Sequence, residues 1–127
     1  MSTFSGMSDI EAKQFTDRWL PAWTGNDPER LLAFYAADAT YSDPAVPAGV
    51  HGHAEILGYF RRLLARYPDW LWTNTGVRPL SGGFLNYWHA TIPEKERTIE
   101  CDGVCVVLID KGLIVRNEVF FDRTPLW

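Results

Sequence analysis

The sequence predicts an α+β fold in which helices come first and an antiparallel meander of strands follows. Apolar residues recur at helical spacing as far as Tyr67, and from Trp70 onward β-branched and aromatic residues dominate. The later segments are joined by Ser81-Gly82-Gly83, Pro93-Glu94-Lys95-Glu96 and Asp110-Lys111-Gly112, short connections suited to hairpins. With 127 residues, 46% hydrophobic and 22% charged, the chain is long enough for one core and too short for two. The expected organisation is a flexible N-terminus over residues 1–8 and a single domain over 9–127.

Each element has a local reason. Ser8-Asp9-Ile10-Glu11 reads as a capping box, in which hydroxyl and carboxylate satisfy each other's free backbone donors. Phe15, Trp19, Ala22 and Trp23 continue that helix on one face, and Pro21 bends or breaks it by removing an N–H. Asp27-Pro28 starts a second helix with a cap residue followed by proline at the first turn, and Leu31, Leu32, Phe34 and Tyr35 would form its buried face. A short strand is expected at Thr40 to Asp43. A third helix runs from about His53 to Tyr67, with Arg61, Arg62 and Arg66 in its C-terminal half, where cations suit the dipole. Strands follow at Trp70 to Leu80, Phe84 to Ile92, Arg97 to Ile109 and Leu113 to Asp122. On the last one Leu113, Val115, Val119 and Phe121 alternate with Ile114, Arg116, Glu118 and Phe120, so both faces carry large apolar groups. A sheet wet on one side alternates more cleanly, which predicts that another subunit or a terminus covers the outer face.

Composition excludes several classes. Twelve Lys and Arg against sixteen Asp and Glu give a net charge of −4, so nucleic acid is not an expected partner. The longest apolar run, Val104 to Ile109, is too short to span a bilayer, and Met1 to Asp9 lacks a secretion-signal pattern. A cytoplasmic protein with no membrane partner is the expectation. Cys101 and Cys105 lie four apart on a predicted strand, about 13 Å at ~3.3 Å per residue. That is too far for a disulfide, so both read as small apolar residues. No GxSxG, GxGxxG or GxxxxGK[ST] motif is present. His51-Gly52-His53 lacks a third clustered ligand, and no metal or cofactor is expected.

Carboxylates are the better candidates. Asp43 precedes Pro44, which holds its backbone extended where the short strand leaves the helical layer. It can cap that turn, or it can act as a base at the mouth of an apolar cavity. Asn74, Asn86, His89, Asp102 and Asn117 are polar residues among apolar strand positions, each hydrogen-bonded in a core or facing a cavity. The six tryptophans, the unusual part of the composition, divide between core, cavity and interface.

Two stretches taken together carry a resemblance. One runs from Asp27 through Ala36-Ala37-Asp38-Ala39-Thr40-Tyr41-Ser42-Asp43-Pro44 to Gly52-His53-Ala54-Glu55-Ile56 and Tyr59-Phe60. The other comprises Gly103-Val104-Cys105-Val106-Val107, Lys111-Gly112-Leu113-Ile114 and Val119-Phe120-Phe121-Asp122. From about Asp9 to Leu126 the chain resembles the nuclear-transport-factor-like superfamily, and within it the SnoaL-like, polyketide-cyclase-like and ketosteroid-isomerase-like group. The resemblance implies a cone-shaped curved antiparallel sheet packed against three helices around an apolar pocket, commonly dimerised through the sheet. Asp43 falls on the position of the isomerases' general base. Their first-helix oxyanion tyrosine falls on Trp19, and their late-strand aspartate falls near Val104 or Cys105, with Asp102 two residues off. A supporting tyrosine becomes Phe60, while Tyr35 keeps its place. The positions that carry epoxide-hydrolase chemistry in other relatives hold Leu85, Tyr87 and Val119.

Two functions are therefore expected. The first is a cofactor-free isomerase-, cyclase- or lyase-type enzyme moving a proton on a hydrophobic carbonyl compound. Asp43 or Asp102 would be its working carboxylate, with Trp19, Asn117 or His89 orienting the developing oxyanion. The second is a non-catalytic ligand-binding or dimerisation module. The implied pocket would be lined by Trp19, Trp23, Tyr35, Tyr41, Phe60, His89, Val104, Asn117, Val119 and Phe121. Its partners would be a small apolar or carbonyl-containing ligand and a second copy of the chain.

Overall fold

The computed structural model describes residues 8–122. The expected flexible N-terminus falls on residues 1–7, outside the described residues, except for Ser8, which caps the first helix. Helix α1 (Asp9–Trp19) begins with the capping box: the Glu11 backbone N–H donates to the Ser8 hydroxyl and the Ser8 N–H to the Glu11 carboxylate. A 3₁₀ turn, Leu20–Trp23, follows directly with Pro21 in it, as the missing proline donor requires. Helix α2 (Pro28–Leu32) is a single turn capped by Asp27, whose carboxylate accepts from the Arg30 N–H. Strands β1 (Tyr35–Asp43) and β2 (Val46–His51) precede helix α3 (Gly52–Arg66). Strands β3 (Leu71–Leu80), β4 (Gly83–Pro93), β5 (Thr98–Asp110) and β6 (Leu113–Phe121) complete the order.

The three helices pack on an open, curved six-stranded sheet of order β2-β1-β6-β5-β4-β3. The later strands form the expected antiparallel meander, but β1 pairs parallel to β6, so the sheet is mixed rather than antiparallel. That pairing explains why the second helix is shorter than its composition suggests. From Tyr35 the chain turns extended to pair with β6, and the Ile114 N–H donates to the Phe34 carbonyl at 2.8 Å. Strand β2 was hidden in the sequence by Pro47 and Gly49, which are tolerated because β2 is an edge strand.

One sheet face packs under the helices and carries Trp88, Ala90, Cys105, Val107, Asn117 and Val119, all buried. The outer face carries exposed Leu71, Tyr87 and Phe120 together with His89, Glu100 and Asp102. The expected alternation on β6 is altered by a bulge between Leu108 and Ile109 in the β5–β6 pairing. Ile114 therefore joins Asn117, Val119 and Phe121 on the helix side, while Leu113 is left exposed. Cys101 and Cys105 are both unpaired thiols on β5. No helix among the described residues is long and apolar enough to cross a membrane.

Candidate functional site

The end of β1 places one carboxylate inside the domain. Tyr41 and Asp43 stand two residues apart and project to the same face, and both are buried. The chain leaves the strand at Pro44, and a register shift in the β1–β2 pairing lies between Tyr41 and Asp43. Asp43 Oδ1 accepts from the Ala45 N–H at 2.8 Å and the Val46 N–H at 3.1 Å, so the turn-capping reading holds for this oxygen. Oδ2 accepts from two phenols, Tyr41 at 2.8 Å and Tyr59 of α3 at 2.7 Å. Asp43 is thus both the cap of its turn and the acceptor of a two-tyrosine clamp. Among the ion pairs of the described residues none involves Asp43. Burial, followed by the Asp43 charge, pushes the Tyr41 phenol well above its ordinary value, so Tyr41 stays a donor.

Beside this clamp lies a cavity of about 130 Å³ bordered by Asp43, Tyr41, Tyr59 and an aromatic wall of Trp23, Tyr67, Trp70 and Trp72. Ala45, Leu63, Val119 and Phe121 close the remainder. The wall is continuous: Trp23 lies 6.1 Å from Tyr41 and 5.6 Å from Trp72, Trp72 meets Trp70 edge-on at 5.0 Å, and Tyr67 stacks on Trp70 at 4.9 Å. Trp70 is fixed by its indole N–H, which donates to the Trp23 carbonyl. On α3, Tyr59 and Leu63 lie four residues apart on one helix face, and Tyr67 follows four further on as the C-cap, so the three reach the cavity together.

Of the residues expected around a pocket, the structure brings together Asp43, Trp23, Tyr41, Val119 and Phe121. It does not bring the others there. Trp19, Tyr35, Phe60 and Asn117 are buried deeper in the core, where Phe60 packs against Trp23, Tyr35 and Tyr41 and the Asn117 amide donates to the Tyr35 phenol at 3.0 Å. Burial pushes the Tyr35 phenol up and the Cys105 thiol up to about 12. His89, Asp102 and Val104 project from the outer face, because strand alternation puts them opposite Trp88, Gly103 and Cys105. There His89 Nδ1 meets Asp102 at 2.8 Å and Nε2 meets Glu100 at 3.0 Å, exposed to solvent and away from the cavity. Glu100 and then Asp102 raise the imidazole above its ordinary value. Asp102 is therefore not a second carboxylate of the site, and neither Trp19, Asn117 nor His89 borders the cavity as an oxyanion donor. The tryptophans expected to divide between core, cavity and interface do so only in part: Trp70 and Trp72 line the cavity, Trp88 fills the core, and none of the three faces outward.

Besides Ala45, the cavity residues missed in the sequence are Tyr59, Leu63 and Tyr67. Their i, i+4, i+8 spacing was a legible signal, obscured because Ile56, Phe60 and Leu64 form an equally regular apolar face beside it. His51 and His53 turn to different partners, the Thr40 hydroxyl and the Tyr35 carbonyl. No group of three metal-ligating side chains exists among the described residues.

Comparison with known proteins agrees with this architecture. A ketosteroid isomerase-like fold protein from Catenulispora acidiphila DSM 44928, solved in complex with trimethylamine, superposes with a TM-score of 0.76 at 22% identity over 86% of this chain and 85% of that one. AclR from Streptomyces galilaeus, provisionally assigned as a hydroxylase, gives 0.76 at 14% identity over 94% of each chain. A protein from Kribbella flavida DSM 17836, provisionally named a ketosteroid isomerase, gives 0.67 at 20% identity over 87% of this chain and 77% of that one. A search of curated protein sequences finds no match. At these identities the structural neighbours establish the fold. The SnoaL-like domain matches residues 16–117, the greater part of the sequence, and the chain belongs to the SnoaL-like domain family.

Proposed function

We propose that this protein binds a small, largely apolar molecule in the aromatic cavity, with Asp43 receiving its polar end. The observation that carries this reading is the placement of one buried carboxylate, held by Tyr41 and Tyr59, on the wall of an otherwise aromatic and aliphatic cavity. At about 130 Å³ the cavity suits a ligand of roughly one ring, since an engineered apolar cavity of ~150 Å³ takes benzene. A thermal-shift screen of one-ring fragments tests it. Hits should raise the melting temperature of the native protein, quench tryptophan fluorescence, and lose both effects in Leu63→Trp, which fills the cavity. Hits that bind Leu63→Trp as well as the native protein would place the ligand elsewhere.

One observation favours a catalytic use of the same site. Both phenols donate to the same oxygen, Oδ2, and hold the carboxylate on the cavity wall, where it would take a proton from a bound carbonyl compound and return it to that compound. This reading expects exchange of α-protons with D₂O in a bound ketone, followed by NMR, and its loss in Asp43→Asn. Exchange at the same rate in both proteins would remove Asp43 from the chemistry.

We also propose that the outer face of the sheet pairs with a second copy of the chain. Leu71, Tyr87 and Phe120 are large apolar side chains exposed on that face, and the sheet presents half-buried Val104 and Val106 beside them. A charged residue at Phe120 should yield a folded monomer by light scattering. An unchanged mass for native and variant proteins would count against the pairing.

A further inference from the structure

We propose that the ligand of the aromatic cavity is a small alkylammonium cation. The inference rests on the pocket reading above and adds the charge of the ligand to it. Asp43 is buried, with 7% of its surface exposed, and every one of its polar contacts is a neutral donor: two phenols and two backbone N–H groups. Four hydrogen bonds are directed at an anion, yet no Lys, Arg or His among the described residues pairs with it. Arg62, whose guanidinium lies 6.0 Å from the Tyr59 ring centroid, is exposed and makes no ion pair with Asp43. With no cation paired to it among the described residues, the buried carboxylate leaves negative potential in the space beside it, and that space is the cavity.

The rest of the wall is suited to the same charge. Trp23, Trp70 and Trp72 meet one another at 5.0–6.2 Å, and Tyr41 and Tyr59 lie 5.6 Å apart. Trp70 stands nearly perpendicular to Trp72, at 87°, so these rings wrap the space instead of stacking into a flat slot. Aromatic faces carry negative quadrupole potential, and a cage of them beside a carboxylate favours a cation with an apolar shell. A hard metal ion would need oxygen ligands that the cage lacks. A carboxylate or phosphate would be repelled by Asp43. An ammonium with methyl or short alkyl groups meets both demands, since its carbons contact the rings and its charge pairs with Asp43. Tyr41 adds acceptor capacity, because its phenol oxygen keeps a lone pair after donating to Oδ2.

The test compares two probes of similar size and shape, tetramethylammonium and tert-butanol, titrated into the native protein at matched ionic strength. Binding is read from tryptophan fluorescence and from the indole N–H resonances. The expected result is at least about tenfold tighter binding of the cation, the range of a desolvated cation–π contact with a nearby anion. Trp72→Leu should weaken the cation more than the alcohol, and Asp43→Asn should bring the two close to parity. Equal or tighter binding of tert-butanol would overturn the cation inference while leaving the pocket reading intact. Binding of neither probe at millimolar concentration, with shifts also absent across the fragment screen, would overturn both. The comparison on the native protein decides the matter even where Asp43→Asn fails to fold.

Discussion

Asp43 shows how one side chain serves fold and site together. Oδ1 closes the turn that starts β2, and Oδ2 ties β1 to α3 through Tyr59. Asparagine at this position keeps one acceptor oxygen but presents an NH₂ group to donors on the other side. Asp43→Asn is expected to cost about 1–3 kcal/mol in chemical denaturation. Tyr59→Phe should cost a comparable amount, about 1.5–3 kcal/mol for a hydrogen bond to a charged group. The double variant should lose less than the sum, because the two changes remove the same interaction. Strict additivity in a double-mutant cycle would show that the clamp is not a unit. The cysteines give a second test at this scale. Burial raises the Cys105 thiol to about 12, and burial followed by the Asp102 charge raises Cys101. Thiol labelling at pH 8 should therefore be slow in the native protein, slowest at Cys105, and fast in denaturant.

Packing between elements depends on close approach as well as on apolar pattern. On β5, Gly103 lies directly opposite Trp88 of β4, and a Cβ built at Gly103 would fall 2.3 Å from the Trp88 ring. Trp88 in turn packs at 4.2 Å on Trp72 and at 5.7 Å on Phe121, both of which border the cavity. Gly103→Ala should push the indole off this seat, lowering stability by about 1–3 kcal/mol and shifting the tryptophan emission. The glycine at this register is therefore a packing requirement, and nothing in its hairpin neighbours announced it. By contrast, the β5–β6 turn was legible: Lys111 and Gly112 both adopt positive φ, 53° and 82°, as a two-residue hairpin of this kind demands.

For the molecule as a whole, charge on the outer face sets a pH dependence distinct from the cavity. His89 sits between Glu100 and Asp102, which raise it above its ordinary value of 6.5. A histidine whose pKa rises on folding contributes stability that is fully present below 6.5 and is lost as pH climbs through the raised value. Melting temperature should thus fall as pH rises from slightly acid to slightly alkaline conditions, and His89→Gln should flatten that slope. An unchanged slope in the variant would assign the dependence to other groups. Because Glu100 and Asp102 are exposed and His89 is only half-buried, the effect is expected to shrink at high salt.

Local chemistry in the sequence determined the capping box of the first helix, the proline boundaries of the first helices, the four-strand meander and the α+β class. Those features follow from bonds and periodicities spanning a few residues. The Asp43-Pro44 step was legible for the same reason, and so was the aromatic content, though not where each ring would stand. Only tertiary structure decided that β1 continues back to Tyr35, since its partner β6 lies far along the chain and overrides the helical preference of Ala36-Ala37. It also decided which polar residues share a site. Asp102 and His89 are turned outward by strand register, while Tyr59 reaches Asp43 from a helix sixteen residues away. Alternation assigns a residue to a face, but which face meets the helices depends on bulges and on a parallel pairing that no local pattern encodes.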